Sequence, residues 1–249
     1  MSPAVPWIVV PAFRAEATLG AVLERVPGWL AEQGGRVLVV DDGSDDGTAE
    51  VARAHGATVL VERRNRGYAR AQKRGLRAAL AGGASAVAIL HADGQYPPEA
   101  LPELLRPVLR GDADVVLGSR VLDGGARARG MPRYKYAANR ALSWLENRCY
   151  GLGLSEYHTG MMAYARHVLL ALPLEHVSDT FHFDGEMAML AGRRGFRLRE
   201  LPIAHVYAGE RSYLRPIPYG LTVVAIALGV RLGLYDRWLG RRARQAPRV

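Results

Sequence analysis

The sequence predicts an α/β domain with a mostly parallel central sheet and helices on both faces. Three observations carry this. Short apolar runs alternate with helical segments at least four times in the first 120 residues. The runs lack polar alternation, as strands buried on both faces do. Each run also breaks off into a polar cluster, which is how a parallel sheet delivers side chains to its carboxyl edge.

The elements follow in order. Trp7-Ile8-Val9-Val10-Pro11 reads as the first strand, stopped by proline. Leu19, Val22, Leu23 and Val26 have helical spacing, so a helix is expected over 15–26. Residues 36–40 form a second strand, ending in the turn Asp41-Asp42-Gly43-Ser44-Asp45-Asp46-Gly47-Thr48 and a helix over 49–55. A third strand covers 58–61. Asn65-Arg66-Gly67-Tyr68 opens a helix that runs to about Leu80 and carries Arg70, Lys73, Arg74 and Arg77. Ala86 to Leu90 is the fourth strand, followed by His91-Ala92-Asp93-Gly94-Gln95-Tyr96. A helix over 98–109 leads to a fifth strand over 115–117, with Gly118-Ser119-Arg120 at its tip. Residues 123–133 are rich in Gly and Arg, lack periodicity and read as a mobile loop. Beyond it, helices are expected over 134–152 and 187–194, and strands over 161–165 and 196–203.

Composition narrows the function. With 249 residues and 49% hydrophobic content, the chain can bury one large core or two small ones. Its net charge of +9 suits nucleotides, an anionic membrane surface or nucleic acid. The arginines sit among acidic residues and not on one recognition helix, so nucleic acid is not expected. Cys149 is the only cysteine, which excludes an intramolecular disulfide and a cysteine-based zinc site. The N-terminus has no basic stretch leading into a long apolar run, so a cytoplasmic protein without a signal peptide is expected.

Pro216 to Val230 is uncharged for fifteen residues before Arg231. That is short of the roughly twenty residues of a membrane span. The run suits a core or homodimer helix, or a helix lying on the inner face of a bilayer. Arg237, Arg241, Arg242, Arg244 and Arg248 follow it and would assist the second role.

At the fourth strand tip, Asp93 and Gln95 are hard oxygen donors two residues apart. Such donors suit Mg2+ or Mn2+ shared with a phosphate group. The alternative is an ordinary Asp-Gly turn.

Taken together, Val10-Pro11-Ala12-Phe13 with Glu16, Val39-Val40-Asp41-Asp42-Gly43-Ser44, Asn65-Arg66-Gly67, Ala92-Asp93-Gly94-Gln95, Gly118-Ser119-Arg120 and Glu200-Leu201-Pro202-Ile203 resemble, in order, the markers of family 2 glycosyltransferases with the GT-A fold. The nearest branch looks like the dolichyl- and polyprenyl-phosphate sugar synthases and their soluble relatives. The resemblance covers about residues 7–212, with residues 1–120 as the nucleotide half, 121–212 as the acceptor half and 213–249 as a helical extension. It implies a nucleoside-diphosphate sugar donor, with UDP favoured, a divalent ion and inversion at the anomeric carbon. The acceptor would be a polyprenyl phosphate or a saccharide or natural-product hydroxyl.

The resemblance also implies roles. Pro11, Phe13, Glu16, Asp42, Asn65, Arg70, His91 and Ala92 would lie along the nucleotide. Asp93 and Gln95 would hold the metal ion. His91 departs from the family by replacing the first carboxylate of its metal motif. Arg120 and Lys135, or Arg133, would face the diphosphate. Asp184 is the favoured catalytic carboxylate and Glu156 the second. The family's arginine after the last strand is missing at Val206, which leaves His205 or Arg211 to replace it. The processive synthases' Gln-x-x-Arg-Trp is also missing, since Leu234 stands in place of Gln before Arg237-Trp238. A single transfer is therefore expected. A sugar-phosphate nucleotidyltransferase is disfavoured because 11–16 lacks the Gly-rich loop that such enzymes carry. A non-catalytic nucleotide-sugar-binding module is the third reading.

Overall fold

The computed structural model describes residues 5–127, 130–205 and 215–245, with backbone alone for 241–245. Strands β1 (Pro6–Ala12), β2 (Arg36–Asp41), β3 (Thr58–Val61) and β4 (Ala86–Ile89) alternate with helices α1 (Glu16–Glu24), α2 (Trp29–Glu32), α3 (Thr48–Ala54) and α4 (Tyr68–Ala81). A short 3-10 turn leads into α5 (Leu101–Leu109), and β5 (Val115–Ser119) follows. The second half holds α6 (Arg133–Tyr150), β6 (Met162–Ala165), α7 (Arg166–Ala171), α8 (Phe183–Arg193) and β7 (Leu198–Pro202). Helices α9 (Pro216–Arg231) and α10 (Leu234–Gln245) close the chain.

The seven strands form one sheet in the order β3-β2-β1-β4-β6-β5-β7. Only β6 runs antiparallel, between β4 and β5. The cores of β1, β4 and β5 are fully buried, which explains their unbroken apolar sequence. The reversal of β6 has a direct consequence for the site. Its start must lie beside the carboxyl ends of β4 and β5. Indeed Leu117 pairs with Met162, and Gly118 N–H donates to Met161 O. Residues 155–160, far from the strand tips in sequence, thereby join them in space.

The expected strands are all present. Three helices, α2, α7 and α10, are additional to those the sequence predicts. The expected helix over 187–194 begins earlier, at Phe183. Asp184 and Glu186 therefore lie on its first turns. Gly185 hides this in the sequence, because Asp-Gly favours a turn, whereas burial of Phe183 and Met187 drives the extra turn. Of the loop expected over 123–133, residues 123–127 contain turns, Ala126 and Met131 pack with Val121 in a small apolar cluster, and Arg133 already opens α6. Residues 206–214, which include the expected boundary at 212/213 and Arg211, lie outside the described residues, as does Arg248.

Candidate active site

The first two strand tips are tied to each other by carboxylates. Asp42 is buried, and its two oxygens accept the Arg66 and Gly67 N–H groups at 2.8 and 2.7 Å. Burial raises its pKa, and these two bonds oppose the rise. Glu16 accepts the Gly47 N–H at 3.0 Å, and Arg14 forks onto Asp45. Gly43 has φ of +73°, and a Cβ there would run into the backbone of Arg64 and Asn65. Asp42 thus holds the Asn65-Arg66-Gly67 turn against the strand tips, and one oxygen of the exposed Glu16 is tied to the Asp-rich turn. Both were expected to face a base or ribose. Pro11 and Phe13 line this edge half-buried, and Asn65 is exposed beside it. Arg70, expected along the nucleotide, pairs with Asp179 at 2.9 Å, as Lys73 does at 2.7 Å.

At the tip of β4, the Ala92 carbonyl accepts the Thr18 hydroxyl at 2.8 Å. One Asp93 oxygen accepts the Gln95 N–H at 3.0 Å. The other Asp93 oxygen and the Gln95 amide have no hydrogen bond among the described residues. A half-exposed carboxylate oxygen and an amide oxygen, both hard donors, fit Mg2+ or Mn2+. His91 does not share in this pair. Its Nε2 lies 2.9 Å from the Tyr68 hydroxyl, which donates to Asp184 at 2.7 Å. Gln72 donates to both oxygens of Asp184 at 3.1 and 3.3 Å. Burial pushes the Asp184 carboxyl above its ordinary pKa, against the pull of Tyr68, His91 and Gln72.

Gly160, just before β6, makes this packing possible. A Cβ there would run into the His91 ring. Its N–H donates to the Tyr96 hydroxyl at 3.1 Å, and the Tyr96 ring meets His91 and His205 edge-on.

The third group forms where β5 and the 155–160 segment meet. Glu156 is fully buried. It accepts the Arg120 N–H and Nε at 2.8 Å, the Arg120 Nη2, and the Asn139 amide at 2.7 Å. Burial alone would raise its pKa, but the Arg120 charge and hydrogen bonds hold it below the ordinary carboxylate value. A buried carboxylate so occupied is a poor proton acceptor. Glu156, the second candidate base, instead orients Arg120. His205 lies within electrostatic reach of Arg120, His91 and Lys135, and burial with these charges lowers its pKa to about 3. It is neutral at physiological pH. Lys135 is exposed on the first turn of α6.

Tyr68, Gln72, Asn139 and Glu200 had no assigned role from sequence. Glu200 accepts the Ser155 N–H at 2.9 Å and so anchors the 155–160 segment to β7. The available signal was a polar residue on a buried helix face, as with Tyr68 and Gln72 four residues apart on α4.

An open sheet in this order, with carboxylate and guanidinium tips gathered on one edge, is a GT-A fold. Residues 7–172 match the model of Glycosyl transferase family 2, and the chain is a member of that family. It is 32% identical to undecaprenyl-phosphate mannosyltransferase of Micrococcus luteus, over 95% of this chain and 97% of that one. It is also 32% identical to a dolichyl-phosphate hexose transferase of Haloferax volcanii, over 91% and 96% of the two chains. Among solved structures, glucosyl-3-phosphoglycerate synthase from Mycobacterium tuberculosis in complex with UDP shares the fold with a TM-score of 0.68. That match has 22% identity and covers 92% of this chain and 80% of that one.

Proposed function

We propose that this glycosyltransferase moves one sugar from a nucleoside diphosphate to a polyprenyl phosphate at a membrane surface, with inversion at the anomeric carbon. One observation carries the acceptor assignment. Helix α9 exposes Ile217, Leu221 and Leu228, which fall within roughly 40° of one another at 100° per residue. Val223 and Val230 are buried on the opposite side, and Ala227 is buried about 100° from the stripe. No single described helix is long and apolar enough to cross a membrane. An outward apolar stripe followed by Arg231 and Arg237 suits a bilayer interface. Tyr219 of the same helix reaches His158 Nδ1 at 2.8 Å, and the His158 carbonyl accepts Arg120 at 2.7 Å. The stripe is therefore two contacts from the expected diphosphate cation. The named activities of the Micrococcus and Haloferax relatives point to the same acceptor class.

In this reading Asp93 and Gln95 would hold the divalent ion, which supplies charge neutralisation on the departing diphosphate. Arg120, fixed by Glu156, contributes a second positive charge. A phosphate acceptor is ionised at neutral pH and needs no base. Asp184 then works through Tyr68, which orients His91 beside the donor.

A thermal-shift screen of nucleoside diphosphates, UDP first, with and without Mn2+ tests the donor half. The expected result is stabilisation by one nucleotide that requires the metal and disappears in Asp93→Ala. Absence of any nucleotide-specific shift in the wild type would sink the proposal.

A further inference from the structure

Helix α6 buries an unusual face. Asn139, Ser143, Glu146 and Tyr150 recur at helical spacing and are all under one-tenth exposed. Glu146 is completely buried. Neither of its oxygens has a hydrogen-bond partner among the described residues, nor does the nearby Ser143 hydroxyl. An isolated buried carboxylate is costly, so its partner needs an explanation.

Two imidazoles face it. His158 Nε2 lies 3.1 Å from one Glu146 oxygen, and His182 Nε2 lies 3.2 Å from the other. The His182 side chain is fully buried and that of His158 is 7% exposed. Yet neither Nε2 atom makes a hydrogen bond among the described residues. Each Nε2 thus stands at ion-pair distance from a different Glu146 oxygen. One ligand atom from each residue lies within 4.8 Å of the others. The two imidazole–carboxylate distances, 3.1 and 3.2 Å, are close to the roughly 3.4 Å between neighbouring ligand atoms of a tetrahedral ion with ligands at about 2.1 Å.

The far side of the rings fits the same reading. The Tyr219 hydroxyl is 2.8 Å from His158 Nδ1 and 3.5 Å from His182 Nδ1. A phenol on the outer nitrogen is the kind of partner that fixes the tautomer of a metal-bound histidine and leaves Nε2 as the ligand.

We propose that Glu146, His158 and His182 bind a divalent transition-metal ion, with zinc the best match to two imidazoles and one carboxylate. Mg2+ and Ca2+ are excluded by the nitrogen donors. The site shares no residue with Asp93 and Gln95. It joins α6, the 155–160 segment, the start of α8 and, through Tyr219, α9. The ion would clamp the apolar helix onto the face that carries Arg120 and Asp184.

The test is elemental analysis of the full chain, purified without a metal-affinity tag. The expected content is about one zinc per chain in the wild type and in Asp93→Ala, and a small fraction of that in Glu146→Gln and His182→Gln. Chelator-treated wild type titrated with Co2+ should develop the visible absorption of tetrahedral Co2+, saturating near one equivalent. Its melting temperature should fall on chelation and recover with Zn2+. This titration needs no variant to fold. If the wild type carries no stoichiometric transition metal and Co2+ gives no absorption, the cluster is a proton-bridged carboxylate and the proposal fails. Full metal retention in His182→Gln would also overturn it.

Discussion

The hydroxyl of Tyr68 donates a 2.7 Å hydrogen bond to Asp184 and sits 2.9 Å from His91 Nε2. Asp184 accepts from Gln72 as well. Tyr68 has one proton and gives it to the carboxylate. His91 must then donate from Nε2, and in the neutral ring this leaves Nδ1 as an acceptor. A buried carboxylate thus sets the tautomer of a histidine that it does not touch.

Removing the carboxylate's charge separates positioning from base catalysis. If the acceptor is a phosphate, Asp184→Asn should lower kcat about tenfold and leave the pH profile unchanged, whereas loss of a general base typically costs about 10²–10⁴. The Asp184 pKa is raised by burial. A base with that property would lose activity as pH falls through its raised pKa, and Asp184→Asn would abolish that limb. Steady-state rates across pH decide between the two.

Glu156 and Arg120 form a buried ion pair, with the Arg120 side chain 14% exposed and that of Glu156 fully buried. Breaking such a pair from one side costs about 3–5 kcal/mol. Glu156→Gln should lower stability by the smaller end of that range, since Gln still accepts one bond. It should also weaken donor binding, because Arg120 loses its orientation. Denaturant unfolding and nucleotide titration measure the two effects.

Gly160→Ala would push His91 off Tyr68 while leaving Asp93 alone. Overpacking of this kind costs about 1–3 kcal/mol. Activity should fall more than Mn2+-dependent nucleotide binding does. Comparing kcat with the nucleotide dissociation constant checks this.

The α9 stripe predicts a reversible membrane contact. Ile217→Glu with Leu221→Glu changes residues that are 77% and 67% exposed, so folding should be unaffected. Sedimentation with anionic vesicles should be lost. Unchanged sedimentation would remove the membrane assignment of this helix.

Acid stability has an identifiable contributor. Asp114 accepts Arg197 N–H, Nε and Nη2 at 2.7, 3.1 and 2.8 Å, and its pKa falls from 3.8 to about 2. The folded state therefore binds its proton later than the unfolded chain. The stabilisation is complete above the unfolded value and is lost as pH falls toward about 2. Because the Arg197 side chain is 58% exposed, solvent screening limits the contribution to about 1 kcal/mol. Asp114→Asn should lose that amount at pH 7 and nothing at the acid end, as read by urea unfolding at the two pH values.

The first half of the sheet was legible because β1 to β5 are apolar runs ended by polar tips, and the parallel pairing of β1 to β4 follows from that pattern. The convergence of the 155–160 segment on those tips was hidden, because it depends on β6 running backwards, which no local signal encodes. The roles of Glu16 and Asp42 were read from their positions at strand ends, and that of Glu156 from the family resemblance. Their carboxylates hold backbone N–H groups and Arg120, and such long-range partners are invisible in a linear pattern. Asp93 and Gln95 were easier, because their proximity is built into the i, i+2 spacing. The Glu146, His158 and His182 cluster had no sequence signature, since its ligands come from three separate segments.

The most direct test is transfer itself. Purified enzyme is incubated with Mn2+, labelled UDP- and GDP-sugars in turn, and vesicles containing a long-chain polyprenyl phosphate, followed by organic extraction. Label is expected in the lipid phase with one donor, dependent on the metal and lost in Asp93→Ala. Label appearing only on a soluble hydroxyl acceptor, with the lipid phase empty for every donor, would contradict a lipid-phosphate acceptor.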